Sequence, residues 1–281
     1  MSSYIGPVTT LDLIKLALRE DMPKGDVTTE SLAVRPRHGE CILRAKSDLV
    51  VSGSSAFEQT MHFLEPHAKF KWLFTDGDVV LKGQTICVIE GDLIQILKAE
   101  RVALNFLGRL SGIATLTRSY VQQVNGTKTK ILDTRKTTPL FRELEKKAVV
   151  HGGGQNHRFT LSDAILIKDN HIAIMGGITK AVTRTREHSN LLIEVEASNL
   201  EQVQECISLK VNRILLDNMT NEQLAEAIKL VPADIKTEAS GNMTLDRVKS
   251  VAQIGVDFIS VGALTHSAPT ADVSLLFDWH S

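Results

Sequence analysis

The chain has 281 residues and a formal net charge of −1, with 43% hydrophobic and 23% charged residues. That length suits one barrel or two domains, and so balanced a charge excludes a global field that would recruit nucleic acid or an anionic membrane. Cys41, Cys87 and Cys206 lie far apart with no CxxC pair, against a disulfide framework or structural zinc; MSSYIGPVTTLDLIK lacks a leader pattern and no apolar run would span a bilayer, so a cytoplasmic enzyme is expected.

Residues 10–19 (TLDLIKLALR) space their apolar side chains for a helix, capped by Thr9 or Thr10. Residues 20–29 read as an acidic loop punctuated by glycine and proline. From Glu40 to Ile94 short strands are predicted: CILRAK, LVVSG, FKWLF, DVVLKG and TICVIEG, with turns at Asp76-Gly77-Asp78 and Lys82-Gly83. DGDVVLKGQTICVIEGD resembles half of a biotinyl- or lipoyl-carrier motif, but Lys82 lacks the setting of a modifiable lysine, so the segment is scaffold. Residues 96–124 carry one apolar stripe through Leu97, Leu104, Leu107, Leu110 and Ile113, a long helix in which Gly112 marks a break or a close contact.

After Gly126 strand and helix patterns alternate. Strands are predicted at ILDTRK (131), AILIKD (164), LLIEVEA (191), RILLDN (213), IKTEASG (235) and DFISVGALTHS (257), with helices over 178–188, 200–209, 221–230 and 245–253 between them. Spacings of roughly 20 to 30 residues suit βα units. Each strand breaks off into polar residues or glycine, as parallel strands do where their carboxyl ends face a ligand. The fold class expected is α/β: an incomplete parallel α/β barrel (TIM-like) over 113–267, with an N-terminal α+β sandwich domain over 1–112. Residues 268–281 would complete that first domain through a last strand at 272–277.

Three constellations carry chemistry. The first is cationic: Arg101, Arg135, Lys136, His157, Arg158 and Lys168. Arginine forks bind carboxylates and phosphates bidentately, and these cations abut apolar strands, unlike an ordinary solvated pair. Gly152-Gly153-Gly154 can serve as linker or let backbone amides approach an anion. The second is acidic: Glu194 and Glu196 on one side of a strand, by its period of two, with Asp217 ending the next strand. Such carboxylates suit Mg²⁺, which takes few protein ligands plus substrate oxygens; alternatively Asp217 simply caps the following helix. The third consists of small residues around Ser240-Gly241 and Gly262 to His266, a phosphate cup in this fold. No GxSxG, Cys-His motif or GxGxxG is present, so positioning and charge stabilisation fit better than covalent catalysis.

EDMPKGDVTT, ERVALNFLGRLSGIATLT, DTRKTTP, GGGQNHR, LSDAILIKDNHI, IEVEA, ILLDNMT, EASG and ISVGALTHSAP, in that order, resemble the quinolinate phosphoribosyltransferases, also called carboxylating nicotinate-nucleotide pyrophosphorylases. The resemblance runs from about Asp12 to Leu276. It implies a phosphoribosyl transfer from phosphoribosyl pyrophosphate to quinolinate with decarboxylation, giving nicotinate mononucleotide, pyrophosphate and CO₂ for NAD biosynthesis. Arg135, His157, Arg158 and Lys168 would then hold quinolinate, joined by Arg101 of a neighbouring subunit. Lys136, Glu196, Asp217, Ser240, Gly241, Gly262 and His266 would bind phosphoribosyl pyrophosphate, with Glu196 and Asp217 on Mg²⁺. Lys136, Lys168, Glu196 and Asp217 would take part in catalysis. The family implies a homodimer with shared sites, or a hexamer, and no redox cofactor.

Three positions depart from the family pattern: Leu140 after Thr-Thr-Pro, Thr160 after the His-Arg pair, and Asn242 where a second glycine is frequent. If those glycines serve left-handed positions, the loops must follow another path. Two rivals stand beside the main reading. One is a paralogue of this fold associated with molybdate transport, which the retained Asn156-His157-Arg158 and Lys168 oppose. The other is a barrel that binds a phosphometabolite without turnover.

Overall fold

The computed structural model describes residues 8–279. The first seven residues, part of the stretch read for a leader, lie outside the described residues. In chain order the elements are α1 (Thr10–Asp21), α2 (Val27–Ser31), β1 (His38–Ala45), β2 (Leu49–Val50), α3 (Ser54–Leu64), β3 (Lys69–Trp72), β4 (Val79–Val80), β5 (Thr85–Asp92) and α4 (Leu93–Gln123). There follow β6 (Lys130–Leu132), α5 (Arg142–His151), β7 (Ile165–Ile167), α6 (Asp169–Met175), α7 (Ile178–His188), β8 (Ile193–Ala197), α8 (Leu200–Ser208) and β9 (Arg213–Asp217). The chain closes with α9 (Asn221–Leu230), β10 (Lys236–Ser240), α10 (Leu245–Ile254), β11 (Phe258–Ser260), α11 (Ala263–His266) and β12 (Val273–Phe277). No helix among the described residues is long and apolar enough to cross a membrane.

Two compact units emerge. The first comprises Met1–Leu116, Thr138–Gly153 and Ala268–Ser281; the second comprises Thr117–Thr137 and Gly154–Ser267. Residues 138–153, within the 113–267 range expected of the barrel, group with the first unit.

The first unit is an α+β sandwich. Its antiparallel sheet has the order β12-β1-β5-β3, and α3 and α4 bury Phe57, Met61, Ile96, Ala103 and Leu107 against Leu43, Ile86 and Ile89 of that sheet. Each of these side chains other than Ala103 contributes roughly 1.5–3 kcal/mol when fully buried. The strand predicted at 272–277 does return here: β12 pairs with β1, Leu43 opposite Leu275. Helix α4 runs unbroken through Gly112, where a Cβ would collide with the Pro269 carbonyl oxygen, so that glycine marks a close contact. The loop expected at 20–29 gives way to the short α2, because the Asp26 carboxylate accepts from Thr28 N and Thr29 N, both at 3.1 Å.

The second unit is the parallel sheet, ordered β6-β11-β10-β9-β8-β7. No ladder joins β6 to β7 among the described residues, which leaves the barrel incomplete. Helices α7 to α10 cover the apolar faces with Val182, Val203, Leu224 and Val251. Two stretches read as strand tails are helices instead. Helix α6 starts directly after Lys168, and α11 takes up Ala263–His266 once Ser260, opposite Leu132, has ended the β11 ladder.

Candidate active site

The period of two along each strand decides what faces the interior. On β8, Ile193, Val195 and Ala197 are buried among apolar neighbours, while Glu194 and Glu196 point the other way. On β9 the same parity selects Arg213, Leu215 and Asp217; on β10 it selects Glu238 and Ser240. The carboxyl ends of these strands border a cleft of about 870 Å³. Arg135, Lys136, His157, Arg158, Lys168, Glu196, Asp217, Ser240, Gly241, Gly262 and His266 all line it. Arg101 does not: it lies solvent-exposed on α4, in the first unit.

On the cationic side, β6 continues into Asp133, a buried residue whose Oδ1 accepts the His157 backbone N–H at 2.8 Å. Asp133 N donates to Gln155 O and Gln155 N to Ile131 O, so residues 155–157 run alongside β6 and bring Arg158 next to Arg135. Burial, then the Arg135 charge, pulls the Arg158 pKa down: the two guanidiniums repel. Arg135 Nε is buried without a protein acceptor. Two crowded arginines with an unmet donor call for an anion. Lys136 N donates to Thr134 Oγ1 at 3.0 Å, and Lys136 O accepts from Thr265 Oγ1 at 2.8 Å, which fixes that backbone beneath its side chain.

His157 is held at both ring nitrogens. Nε2 lies 3.2 Å from Glu194 Oε2 and 3.6 Å from Glu238 Oε2. Nδ1 accepts the Arg158 N–H at 2.7 Å. Burial alone would lower the His157 pKa, but the Glu194 hydrogen bond and the two glutamate charges outweigh it and raise it. That second proton has no room at Nδ1 while Nδ1 accepts, so hydrogen-bond geometry decides for the Nε2–H tautomer.

The acidic side pairs Glu196 with Asp217 at the ends of adjacent strands. Burial first, then the Asp217 charge, raises the Glu196 pKa; Lys168, with Nζ 3.9 Å from Glu196 Oε2, opposes that rise. Two carboxylates that repel across an open cleft fit a hard divalent cation completed by substrate oxygens. The capping role weighed for Asp217 falls elsewhere, because Thr220 is the N-cap of α9 and its side chain accepts from Gln223 N. Asp217 Oδ2 accepts instead from Asn218 Nδ2 at 2.6 Å.

The three departures resolve differently. Leu140 and Asn242 both take left-handed backbone, with φ of 65° and 49°, a conformation a glycine would also accept; it strains the leucine, whereas asparagine tolerates it. Thr160 is not among the residues of positive φ; its hydroxyl and amide both donate to Asp163. Gly152 to Gly154 end α5 and do not line the cleft, which favours the linker reading. Sequence reasoning passed over Arg213, and it assigned no role to Glu238 or Asp133. Their signal was inward strand parity, or in Asp133 an acid directly after an apolar strand.

A parallel βα sheet with cations, paired carboxylates and small residues at its carboxyl ends defines an α/β-barrel enzyme of anionic substrates. Residues 113–276 match the quinolinate phosphoribosyl transferase C-terminal domain and residues 26–111 its N-terminal domain. A probable carboxylating nicotinate-nucleotide pyrophosphorylase of Synechocystis is 43% identical over 263 residues, covering 92% of this chain and 89% of that one. The chloroplastic carboxylating nicotinate-nucleotide pyrophosphorylase of Arabidopsis thaliana is 41% identical over 287 residues, covering 95% and 82%. The crystal structure of the nicotinate-nucleotide pyrophosphorylase of Ehrlichia chaffeensis superposes with a TM-score of 0.92 at 39% identity, covering 96% of this chain and 99% of that one. The chain belongs to the quinolinate phosphoribosyltransferase family.

Proposed function

We propose that this chain transfers the phosphoribosyl group of phosphoribosyl pyrophosphate to the ring nitrogen of quinolinate, with loss of CO₂. The products are nicotinate mononucleotide and pyrophosphate, a step of NAD biosynthesis. Family membership supports the reaction; the observation that carries the assignment of the site is the Arg135–Arg158 pair with its unmet Nε donor. Those two arginines and Lys168 take the quinolinate carboxylates, with His157 behind them. Lys136, Ser240, Gly241, Gly262 and His266 take the phosphoribosyl pyrophosphate, whose ribose faces Glu196 and Asp217.

Catalysis then follows from charge and position. Carboxylates beside C1 of the ribose stabilise its oxocarbenium character as the bond to pyrophosphate breaks, and the pyridine nitrogen forms the new bond to C1. The cationic nitrogen next draws the electron pair of the adjacent C–CO₂⁻ bond into the ring. CO₂ leaves, and a proton replaces it on that carbon. The arginines and Lys168 fix the dicarboxylate so that the nitrogen meets C1. Glu196 and Asp217 would hold Mg²⁺, which when bound offsets charge on the pyrophosphate group. A homodimer to whose sites Arg101 contributes from the neighbouring subunit, and a cytoplasmic setting, belong to the same proposal.

The test is direct: incubate purified protein with quinolinate, phosphoribosyl pyrophosphate and Mg²⁺, and separate the products by chromatography. Nicotinate mononucleotide is expected. Tight binding without product would favour a non-catalytic barrel.

A further inference from the structure

Barrel interiors are ordinarily filled by Val, Ile and Leu. At the floor of this cleft, which His157 and Glu238 both line, the interior instead holds Glu194 on β8, Arg213 on β9, Glu238 on β10 and the ring of His157. Arg213 Nη1 lies 2.9 Å from Glu238 Oε2 and 3.8 Å from Glu194 Oε2, and its guanidinium stands 4.3 Å over the Phe258 ring. Glu238 is completely buried, and its Oε1 meets no donor in hydrogen-bond geometry. His157, Glu194 and Glu238 are near enough together to hold a metal ion, but Arg213 already supplies the positive charge between the two carboxylates. For stability alone such a cluster is a poor choice, since well-packed apolar residues often serve as well or better. A role in function explains it better.

The imidazole gives the cluster a direction. Its Nε2 faces the two glutamates, its Nδ1 receives the Arg158 N–H, and its own backbone N–H is tied to Asp133. Contact therefore runs from the buried carboxylates, through one ring, to the backbone of the residue whose guanidinium lines the cleft beside Arg135. Outer partners of this kind orient the side chains that touch the ligand. We propose that Glu238, with Glu194 and Arg213, is a positioning residue for the dicarboxylate half of the cleft, acting through His157 to aim Arg158. The identity of the dicarboxylate rests on the function proposed above; the internal relay does not.

The first arm of the test uses wild-type protein alone. Nitrogen-15 spectra of histidine-labelled protein, with His157 assigned by its loss in His157→Asn, should show Nε2 protonated and Nδ1 accepting. A protonated Nδ1 would overturn the relay. The second arm titrates quinolinate and phosphoribosyl pyrophosphate separately into wild type and Glu238→Gln. The variant should bind quinolinate about tenfold more weakly, the lower end of what losing the partner behind a metal ligand costs, keep its phosphoribosyl pyrophosphate affinity and shift the His157 signals. Wild-type quinolinate affinity in the folded variant, or equal loss of both ligands, would overturn the proposal. Should Glu238→Gln fail to fold, Glu194→Gln gives the same readout, because it leaves the Arg213–Glu238 pair intact. Wild-type protein that binds no quinolinate contradicts the proposed function instead, and the histidine spectra then decide the relay alone.

Discussion

Gly241→Ala probes how the side of the cleft proposed to take phosphoribosyl pyrophosphate is built. Gly241 has φ of 90°, and a Cβ there would overlap Asn218 Oδ1 and stand 3.0 Å from Asn218 N. A left-handed alanine costs roughly 1–2 kcal/mol. The larger consequence is displacement of the Asn218 side chain, whose Nδ2 donates to Asp217 Oδ2 at 2.6 Å. A hydrogen bond to a charged group contributes about 1.5–3 kcal/mol; this one is open to solvent, so the lower end applies, about a tenfold change. The expected result is a KM for phosphoribosyl pyrophosphate about tenfold higher, an unchanged KM for quinolinate, and a lower unfolding midpoint in urea. Wild-type KM for phosphoribosyl pyrophosphate, measured on a variant that is destabilised as expected, would refute the claim that Asn218 holds Asp217 in its working position.

Other perturbations separate the remaining pieces. Leu140→Gly should raise urea stability by under about 1 kcal/mol, since relief of roughly 1–2 kcal/mol of left-handed strain exceeds the added unfolded-state entropy; a loss of stability would contradict the strain. Asn242→Gly should change stability by only a few tenths of a kcal/mol, because asparagine tolerates φ near its 49°. Arg158→Ala should weaken quinolinate binding by roughly 2–5 kcal/mol in calorimetry and spare phosphoribosyl pyrophosphate; equal loss of both would contradict its place on the dicarboxylate side. Burial, then the Glu194 charge, pushes Glu238 from its ordinary 4.5 up to about 7. The folded state thus retains a proton that the unfolded chain releases, and this contribution, present below 4.5, is lost as pH rises through about 7. Urea titrations should show wild type losing stability relative to Glu238→Gln across that window, by at most on the order of 3 kcal/mol; parallel pH profiles would refute the assignment.

Much of the site was legible because strands obey a strict alternation. Glu196 and Asp217 end predicted strands, and the βα rhythm alone points such ends at a ligand. What escaped depends on partners distant in sequence. Glu238 reads as one more residue of the predicted strand IKTEASG until Arg213, 25 positions away, and His157 close around it. Helix α6 was hidden because the apolar run 164–167 flows into Lys168-Asp169-Asn170-His171 without a cap residue of the usual kind. Leucine has no preference for the left-handed region, so Leu140 pointed to a changed loop path; the tertiary structure imposes the left-handed φ instead.

Transfer coupled to decarboxylation can be followed in a single assay. Quinolinate carrying isotopic carbon in its 2-carboxyl group is incubated with the protein and Mg²⁺, with and without phosphoribosyl pyrophosphate, while CO₂ and nicotinate mononucleotide are counted together. One labelled CO₂ is expected for each nicotinate mononucleotide, and neither product without phosphoribosyl pyrophosphate. Label retained in a nucleotide product, or CO₂ released without the phosphoribosyl donor, would contradict that coupling.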